Sequence, residues 1–284
     1  MIASSNLSVN HLCSELDLST SSYYRWKSQD NISPHQNDIL KNLQSIAAEF
    51  PKYGYRRITK ALQREGMRVN HKRVRRIMKE NNLLVRRKKF KPITTNSNHD
   101  FPKYRNLVQN ITPTSINQVW VADITYIWLL KGFVYLATIM DLFSRRCVGW
   151  ALSRNPDTQL TIDALNMVIG LRGEENVKEC IHHSDRGVQY AAYRYVQRLT
   201  EIGMRPSMGE VGNSYENAHA ESFFKTLKTE EVYMNEYKTI DDVYRNIKQF
   251  IEEVYNKKRL HSSIGYKPPL EFEQETLNTT AIFD

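Results

Sequence analysis

Apolar positions recur at helical spacing through the first third of the chain. In DILKNLQSIAAEF, Ile39, Leu43, Ile46 and Ala47 fall on one side of a helix that Pro51 ends. YGYRRITKALQREG repeats the pattern with Ile58, Ala61 and Leu62 and stops at Gly66. In VNHKRVRRIMKENNLL, Asn70 is placed to cap a further helix whose apolar stripe is Val74, Ile77 and Met78. Upstream, LSVNHLCSELDLSTSSYYRWKSQ reads as short helices within an N-terminal segment 1–35. The compact all-α unit is expected over 36–91. Segment 92–112, with Pro92, Pro102 and many Asn, Thr and Ser, reads as a linker.

Beyond the linker the period becomes alternating. NQVWVADITYIWL puts Val119, Val121, Asp123 and Thr125 on one face and Trp120, Ala122, Ile124 and Tyr126 on the other. FVYLATIMDLF and RCVGWALS follow as further strands, giving a three-stranded antiparallel meander. TQLTIDALNMVIGLR is then an amphipathic helix, ECIHHSD a strand, AAYRYVQRLTEIG a helix and MRPSM a short strand. SYENAHAESFFKTLKTEEVY and TIDDVYRNIKQFIEEVYNKK close the run as helices. The order βββαβαβαα predicts an α/β fold over 113–275, a mixed five-stranded sheet flanked by helices, with 276–284 as a tail. Trp120, Trp128 and Trp150 are expected in its core.

Composition narrows the class. At 284 residues, 40% hydrophobic and 25% charged, the chain has the balance of a soluble globular protein. Its three cysteines are scattered without a CxxC pair, which speaks against a disulfide framework or a cysteine-rich zinc site and for a reducing compartment. No apolar run is long enough to span a bilayer, and the N-terminus lacks a secretory pattern. The net charge is uneven. Residues 1–110 hold 21 Lys and Arg against 8 Asp and Glu, a net of +13, whereas residues 111–284 hold 19 against 23, a net of −4. A basic front half points to a polyanion, and nucleic acid fits best. The face opposite Val74, Ile77 and Met78 carries Lys72, Arg73, Arg75, Arg76 and Lys79, and the basic run continues through Arg86, Arg87 and Lys88. Helix, turn and basic helix form a helix-turn-helix pattern, whose second helix can enter the major groove of DNA.

Three carboxylates stand out. Asp123 interrupts an apolar strand, where an unpaired charge costs several kcal/mol. Asp185 ends a short strand, the place where open α/β sheets put their ligands, although a turn aspartate before Arg186-Gly187 reads equally well. Glu221 follows Ala218 and Ala220, small residues that permit close approach to a sheet. It shares a helical stripe with Asn217 and Lys228. Three carboxylates without a cysteine suit a hard cation, Mg²⁺ or Mn²⁺, and such a cluster can hold two ions about 3.5–4 Å apart.

The motifs VWVADITYI, IMDLFSRRCVGWALS, HHSDRGVQY, GNSYENAHAESFFKTLKTE and YNKKRLHSSIGYKPP occur in this order. The chain resembles the insertion-sequence transposases with a DDE-type integrase core, specifically the downstream OrfB product of the IS-three family, over nearly its whole length. The 35 residues between Asp185 and Glu221 match that family's interval. The resemblance implies an RNase H-like core with Asp123, Asp185 and Glu221 as catalytic and metal-binding triad, and Lys228 as a DNA contact. It also implies 3′-end cleavage by activated water, then strand transfer by the freed 3′-OH, through a circular intermediate. The expected partners are double-stranded DNA at element ends and target, further copies of the chain on that DNA, and the upstream-frame OrfA protein. No membrane is expected, and the location is the bacterial cytoplasm. The chain also begins where the downstream frame would, so end recognition by the upstream part is expected from elsewhere.

The neighbouring residues have less specific readings. His182 and His183 are placed to orient a carboxylate or touch DNA, and Gln189 and Tyr190 to contact the strand, with packing of Tyr190 equally open. Asn217 is read as a hydrogen-bonding neighbour of Glu221 or a cap. Arg259 and His261 are read as phosphate contacts or as part of a solvated loop. Asp141 is read as structural, bonding the turn near Ser144 and Arg145. Two other functions stay open: a catalytically inactive or domesticated DNA-binding regulator, and an RNase H-like nuclease.

Overall fold

The computed structural model describes residues 8–24, 34–85, 104–109, 111–209 and 218–283. The chain forms two compact units, Met1–Arg86 and Arg87–Asp284.

The first unit is helical, with α1 (Val9–Glu15), α2 (Pro34–Glu49), α3 (Tyr55–Arg64) and α4 (His71–Glu80). The apolar stripes read from the sequence are its core: Ile39, Leu43, Ile58, Leu62, Val74 and Met78 are fully buried. Asn70 caps α4 by accepting the Arg73 N–H at 2.8 Å. Helix α3 gives way at Gly66, whose φ of +85° an L side chain rarely adopts. Burying Val74, Ile77 and Met78 turns the other face of α4 outward. Lys72, Arg75, Arg76 and Lys79 are exposed and Arg73 is half-buried. Arg86, Arg87 and Lys88 lie outside the described residues.

The second unit is built on β1 (Val119–Trp128), β2 (Phe133–Asp141), β3 (Cys147–Ser153), β4 (Ile181–Ser184) and β5 (Arg205–Met208). The strand order is β3-β2-β1-β4-β5, with β1, β2 and β3 antiparallel and β4 and β5 parallel to β1. This is the mixed five-stranded sheet expected from the alternation. Helices α5 (Thr158–Arg172), α6 (Val188–Ala191) and α7 (Tyr193–Glu201) cover the face bearing Trp120 and Ala122. The opposite face, bearing Val119 and Val121, packs α8 (Ala218–Glu230), α9 (Ile240–Gln249) and the π-helical turn Phe250–Tyr255 that continues α9. At Gly149 a Cβ would stand 2.2 Å from Val168 Cγ2 and 2.5 Å from Ala164 O, so the glycine lets α5 lie directly on β3.

AAYRYVQRLTEIG carries one helix, α7, as expected; the short α6 before it ends at Ala191, and extended Ala192 separates the two. Two local expectations are corrected. The tail at 276–284 is, through 283, the end of a further helix, α10 (Pro269–Phe283). Glu273 anchors that helix, buried between Arg146, Arg172 and Ser144. Trp120 and Trp150 are core residues, but Trp128 is 59% exposed. It stands six positions beyond Ala122, the last residue of β1 paired to β4, on the outer arm of the sheet. The three cysteines are buried free thiols.

Candidate active site

Parallel pairing of β1 with β4 brings two of the sequence-predicted carboxylates side by side. Val119–Ala122 pair in register with Ile181–Ser184. Asp123 and Asp185 are therefore neighbours, Asp185 just past the carboxyl end of β4, where α/β sheets hold ligands, and Asp123 at the point inside β1 where its pairing with β4 stops. Each is steadied by local backbone. Asp123 Oδ1 accepts the Ile124 N–H at 2.7 Å, and Asp185 Oδ1 accepts the Gly187 N–H at 2.9 Å. A Cβ on residue 187 would stand 2.9 Å from that same Oδ1, so glycine leaves the carboxylate its place.

Two carboxylates so close cannot both be charged cheaply. Burial, then the charge of Asp185, pushes the Asp123 pKa up to about 8; Glu221 adds to the rise, while the Ile124 N–H and Lys228 oppose it. The pair is short of positive charge. Because the folded pKa lies above the ordinary 3.8, Asp123 weakens the fold once it must ionise. Without divalent cations, stability is expected to fall by up to a few kcal/mol as pH rises from about 4 to about 8. Asp123→Asn should remove most of that slope, as followed by urea denaturation across the range. A slope unchanged in the variant would contradict the buried-pair geometry.

Glu221 sits in the first turn of α8 with its side chain exposed; residues 210–217, Asn217 among them, lie outside the described residues. Its charge reaches Asp123. Among the described residues, however, no three His, Cys, Asp or Glu side chains stand close enough to hold a metal ion. The structure thus joins Asp123 with Asp185 and leaves Glu221 beside the pair. Lys228 lies in the last turn of α8 with its ammonium 4.6 Å from the centroid of the Tyr126 ring. Burial lowers its pKa, and Asp123 counteracts this.

The histidines before Asp185 shape the strand. The His182 ring is buried against Tyr195, whose hydroxyl lies 2.9 Å from Nε2, and burial followed by its neighbour His183 lowers its pKa to about 3. It stays neutral at any working pH. His183 Nδ1 lies 2.9 Å from Ser207 Oγ on β5, which also accepts the Leu107 N–H at 2.9 Å. Gln189 donates to the Pro156 carbonyl at 2.6 Å and ties α6 to the loop after β3. Arg259 and His261 correct the expectation of phosphate contacts. Arg259 is 3% exposed and forms a two-pronged pair with Glu230 at 2.8 Å on each arm. His261 is buried with its ring edge-on to Tyr255 at 4.7 Å. Both knit the residues after α9 to the core. Asp141 is structural as expected, accepting the N–H groups of Asn117, Phe143 and Ser144.

Of two further residues near the site, the sequence reads Tyr190 as a DNA-strand contact or as packing and does not single out His219. Tyr190 is buried, its hydroxyl has no hydrogen-bond partner among the described residues, and it feels the charges of Asp123 and Asp185. His219, two residues before Glu221, contacts the Arg145 guanidinium through Nδ1. Burial, then Arg145, lowers its pKa to about 4. Arg145 has a left-handed φ of 64° in the β2–β3 turn, a conformation that sequence pattern does not announce.

Family models for an integrase core domain match residues 113–214 and 202–269, and a model for an HTH-like domain matches 34–91. The insertion element IS600 uncharacterized 31 kDa protein of Shigella sonnei is 37% identical over 93% of this chain and 98% of its own length. The transposase InsF for insertion sequence IS3A of Escherichia coli is 31% identical over 95% of each chain.

The chain belongs to the IS3 (IS-three) family of insertion-sequence transposases.

Another relative, the transposase for insertion sequence element IS904 of Lactococcus lactis, is 37% identical over 78% of this chain and 88% of that protein. The catalytic core domain of BIV integrase is 19% identical, with a TM-score of 0.44, over 58% of this chain and 99% of that one. As an IS3-family transposase, the chain pairs an HTH-like domain with an integrase core domain. Among its described residues, no helix is long and apolar enough to cross a membrane.

Proposed function

We propose that this IS3-family chain is a DDE polynucleotidyl transferase of the bacterial cytoplasm that cleaves 3′ ends at its insertion sequence and transfers them to target DNA. The observation that carries the reading is the placement of Asp123 and Asp185 side by side where the β1–β4 pairing ends, with Asp123 driven up in pKa by burial and by its neighbour. Oxygen donors short of positive charge fit Mg²⁺ or Mn²⁺, with Glu221 as the third carboxylate. When bound, two such ions supply an activated attacking oxygen and charge neutralisation at the leaving oxygen. Asp123 and Asp185 fix where the reacting phosphate lies, and their backbone hydrogen bonds keep both carboxylates oriented. Lys228 offers its ammonium to a phosphate beside them. In the first step a water oxygen bonds to phosphorus and the 3′ oxygen leaves with a proton. In the second that 3′-OH attacks a target phosphodiester, whose own 3′ oxygen leaves.

DNA is held by the unit proposed over 36–91 and acted on by a catalytic core proposed over 113–275; of the linker expected over 92–112, Tyr104, Leu107 and Val108 pack on that core and belong with it. The exposed side chains of Lys72, Arg75, Arg76 and Lys79 on α4 supply the helical unit's phosphate and base contacts, with Arg73 at the margin and Arg86, Arg87 and Lys88 extending the basic run. Double-stranded element ends and target DNA are the substrates, and further copies of the chain and the upstream-frame OrfA protein are the partners in the assembly. The test is incubation of the purified chain, with and without OrfA, with DNA carrying the element's ends and Mg²⁺ or Mn²⁺. Metal-dependent 3′ nicks and joined products are expected. Cleavage of RNA–DNA hybrids without joining would favour a nuclease instead. Replacing Lys72, Arg75 and Arg76 by alanine should weaken end binding and flatten its salt dependence by about 0.9 in slope per lost phosphate contact. An unchanged slope would remove α4 from the interface.

A further inference from the structure

Past Ala122, β1 is no longer paired to β4, and β1 and β2 run on as an arm, with β3 beside β2 as far as Tyr135, to the turn at Leu129–Gly132. Alternation gives the arm two unlike faces. Ile127, Val134 and Leu136 are fully buried on one. The other carries Tyr126 opposite Tyr135 and Trp128 opposite Phe133. Their rings meet edge to face, Trp128 at 5.5 Å from both Tyr126 and Phe133, and Phe133 at 5.3 Å from Tyr135. Trp128 is 59% exposed and Phe133 43%. A contiguous aromatic surface of this kind marks a place where something binds.

The charges around it indicate what. Lys228 lies against Tyr126, and Lys131 stands in the turn. Lys238 follows Tyr237, whose carbonyl accepts the Leu130 N–H at 2.9 Å. Of the acids along the same stretch, Asp242 is paired with Arg245 and Glu231 accepts from Asn235 and Tyr237, which leaves Glu236 and Asp241 to face the three lysines. Aromatic faces rimmed by ammonium groups complement a polyanion that itself has flat faces. Tyr126 lies three residues along β1 from Asp123 and so on the other face, but β1 has no β4 neighbour at this point, and Lys228, which feels the charge of Asp123, reaches the Tyr126 ring at that open edge.

We infer that this aromatic arm is a stacking platform for unpaired bases of the DNA strand whose phosphodiester lies at the Asp123–Asp185 pair. The inference rests on the DNA-processing reading above and adds the form of the substrate: a strand opened next to the scissile bond. The lysines hold its phosphates while Trp128 and its neighbours receive the bases, an arrangement that tolerates any sequence because every base has a flat face. Intact duplex, its bases stacked on each other, can use only the lysines.

The test is binding by the full chain without divalent cations, using a labelled oligothymidylate of about 15 nucleotides and a blunt duplex. Trp128→Ala should weaken binding of the single strand about tenfold and duplex binding less than about twofold, whereas Trp128→Phe keeps most of the affinity. Single-strand binding should quench emission that is absent from the Trp128→Phe protein. A Trp128→Ala/Phe133→Ala protein with unchanged single-strand affinity would overturn the proposal. Equal loss on both probes would do the same, as would a changed oligomeric mass at constant affinity, which would assign the arm to a second copy. If the double variant does not fold, the single Trp128→Ala substitution at this exposed position decides alone. The readout needs no catalysis, so a chain that fails to cleave element ends leaves this result intact, and a failed platform leaves the cleavage assay intact.

Discussion

The Asp185→Asn chain is expected to join no detectable ends to target DNA, a loss of about 10³-fold or more in rate, while it still binds duplex ends through its helical unit. The size follows from the site. Metal ions at two oxygens of a phosphodiester lower the barrier by several kcal/mol, and about 4 kcal/mol corresponds to about 10³ in rate. Asparagine keeps the shape of the strand end and an oxygen for the Gly187 N–H, but removes the charge that would hold a cation. Asp123→Asn should do the same to activity while relieving the metal-free fold, so that stability rises as catalysis disappears. A mere folding defect cannot produce that opposite movement. Glu221→Gln should also abolish joining. Retained joining in that variant would remove Glu221 from the proposed triad and leave the Asp123–Asp185 pair standing. Single-turnover cleavage and joining, together with denaturation curves on the same preparations, measure both quantities.

The second large effect lies away from the chemistry. Glu273→Ala is expected to cost about 3–5 kcal/mol of core stability at neutral pH. Glu273 is 2% exposed and accepts from Ser144 Oγ at 2.7 Å, Arg146 Nη1 at 2.6 Å and Arg172 Nη2 at 2.5 Å. Removing it leaves two largely buried guanidinium groups without their counter-charge. It also unfastens α10 from α5 and from the β2–β3 turn that carries Arg145. Burial tends to raise the Glu273 pKa, but Arg172, Arg146 and Ser144 outweigh it and leave it below the ordinary 4.5. The stabilisation is therefore present above about 4.5 and lost as pH falls through the lower folded value, so the variant and the parent should converge in acid. Urea denaturation at neutral and acid pH measures this. A loss below about 1 kcal/mol at neutral pH would show that the network contributes little.

How much of this could be read in advance varied with the kind of interaction. The helices and strands were legible because they rest on local periodicity: Ile58 and Leu62, or Val119 and Val121, declare their faces by spacing alone. The cap at Asn70 was legible because its bond spans three residues. Arg259 was not. Its charge suggested phosphate, yet Glu230, 29 residues away, takes it into the core. Glu273 was not legible either, since its three partners lie more than 100 residues back along the chain. Trp128 was read as core because tryptophan is apolar, and only the length of β4 shows that the sheet has narrowed by that point.

By itself, then, the sequence determined the helical unit, the order of strands, the basic face of α4 and the identity of the carboxylates, each by short-range spacing or by motif. Tertiary structure alone decided which of those carboxylates meet. Parallel pairing of Val119–Ala122 with Ile181–Ser184 carries Asp123 to Asp185 across more than 60 residues, and the burial of Asp123 beside the charge of Asp185 makes a pair short of positive charge. The same pairing, ending at Ala122, bares the aromatic arm beyond it. Strand register is a long-range property, set by how whole faces pack, and no local pattern encodes where it stops.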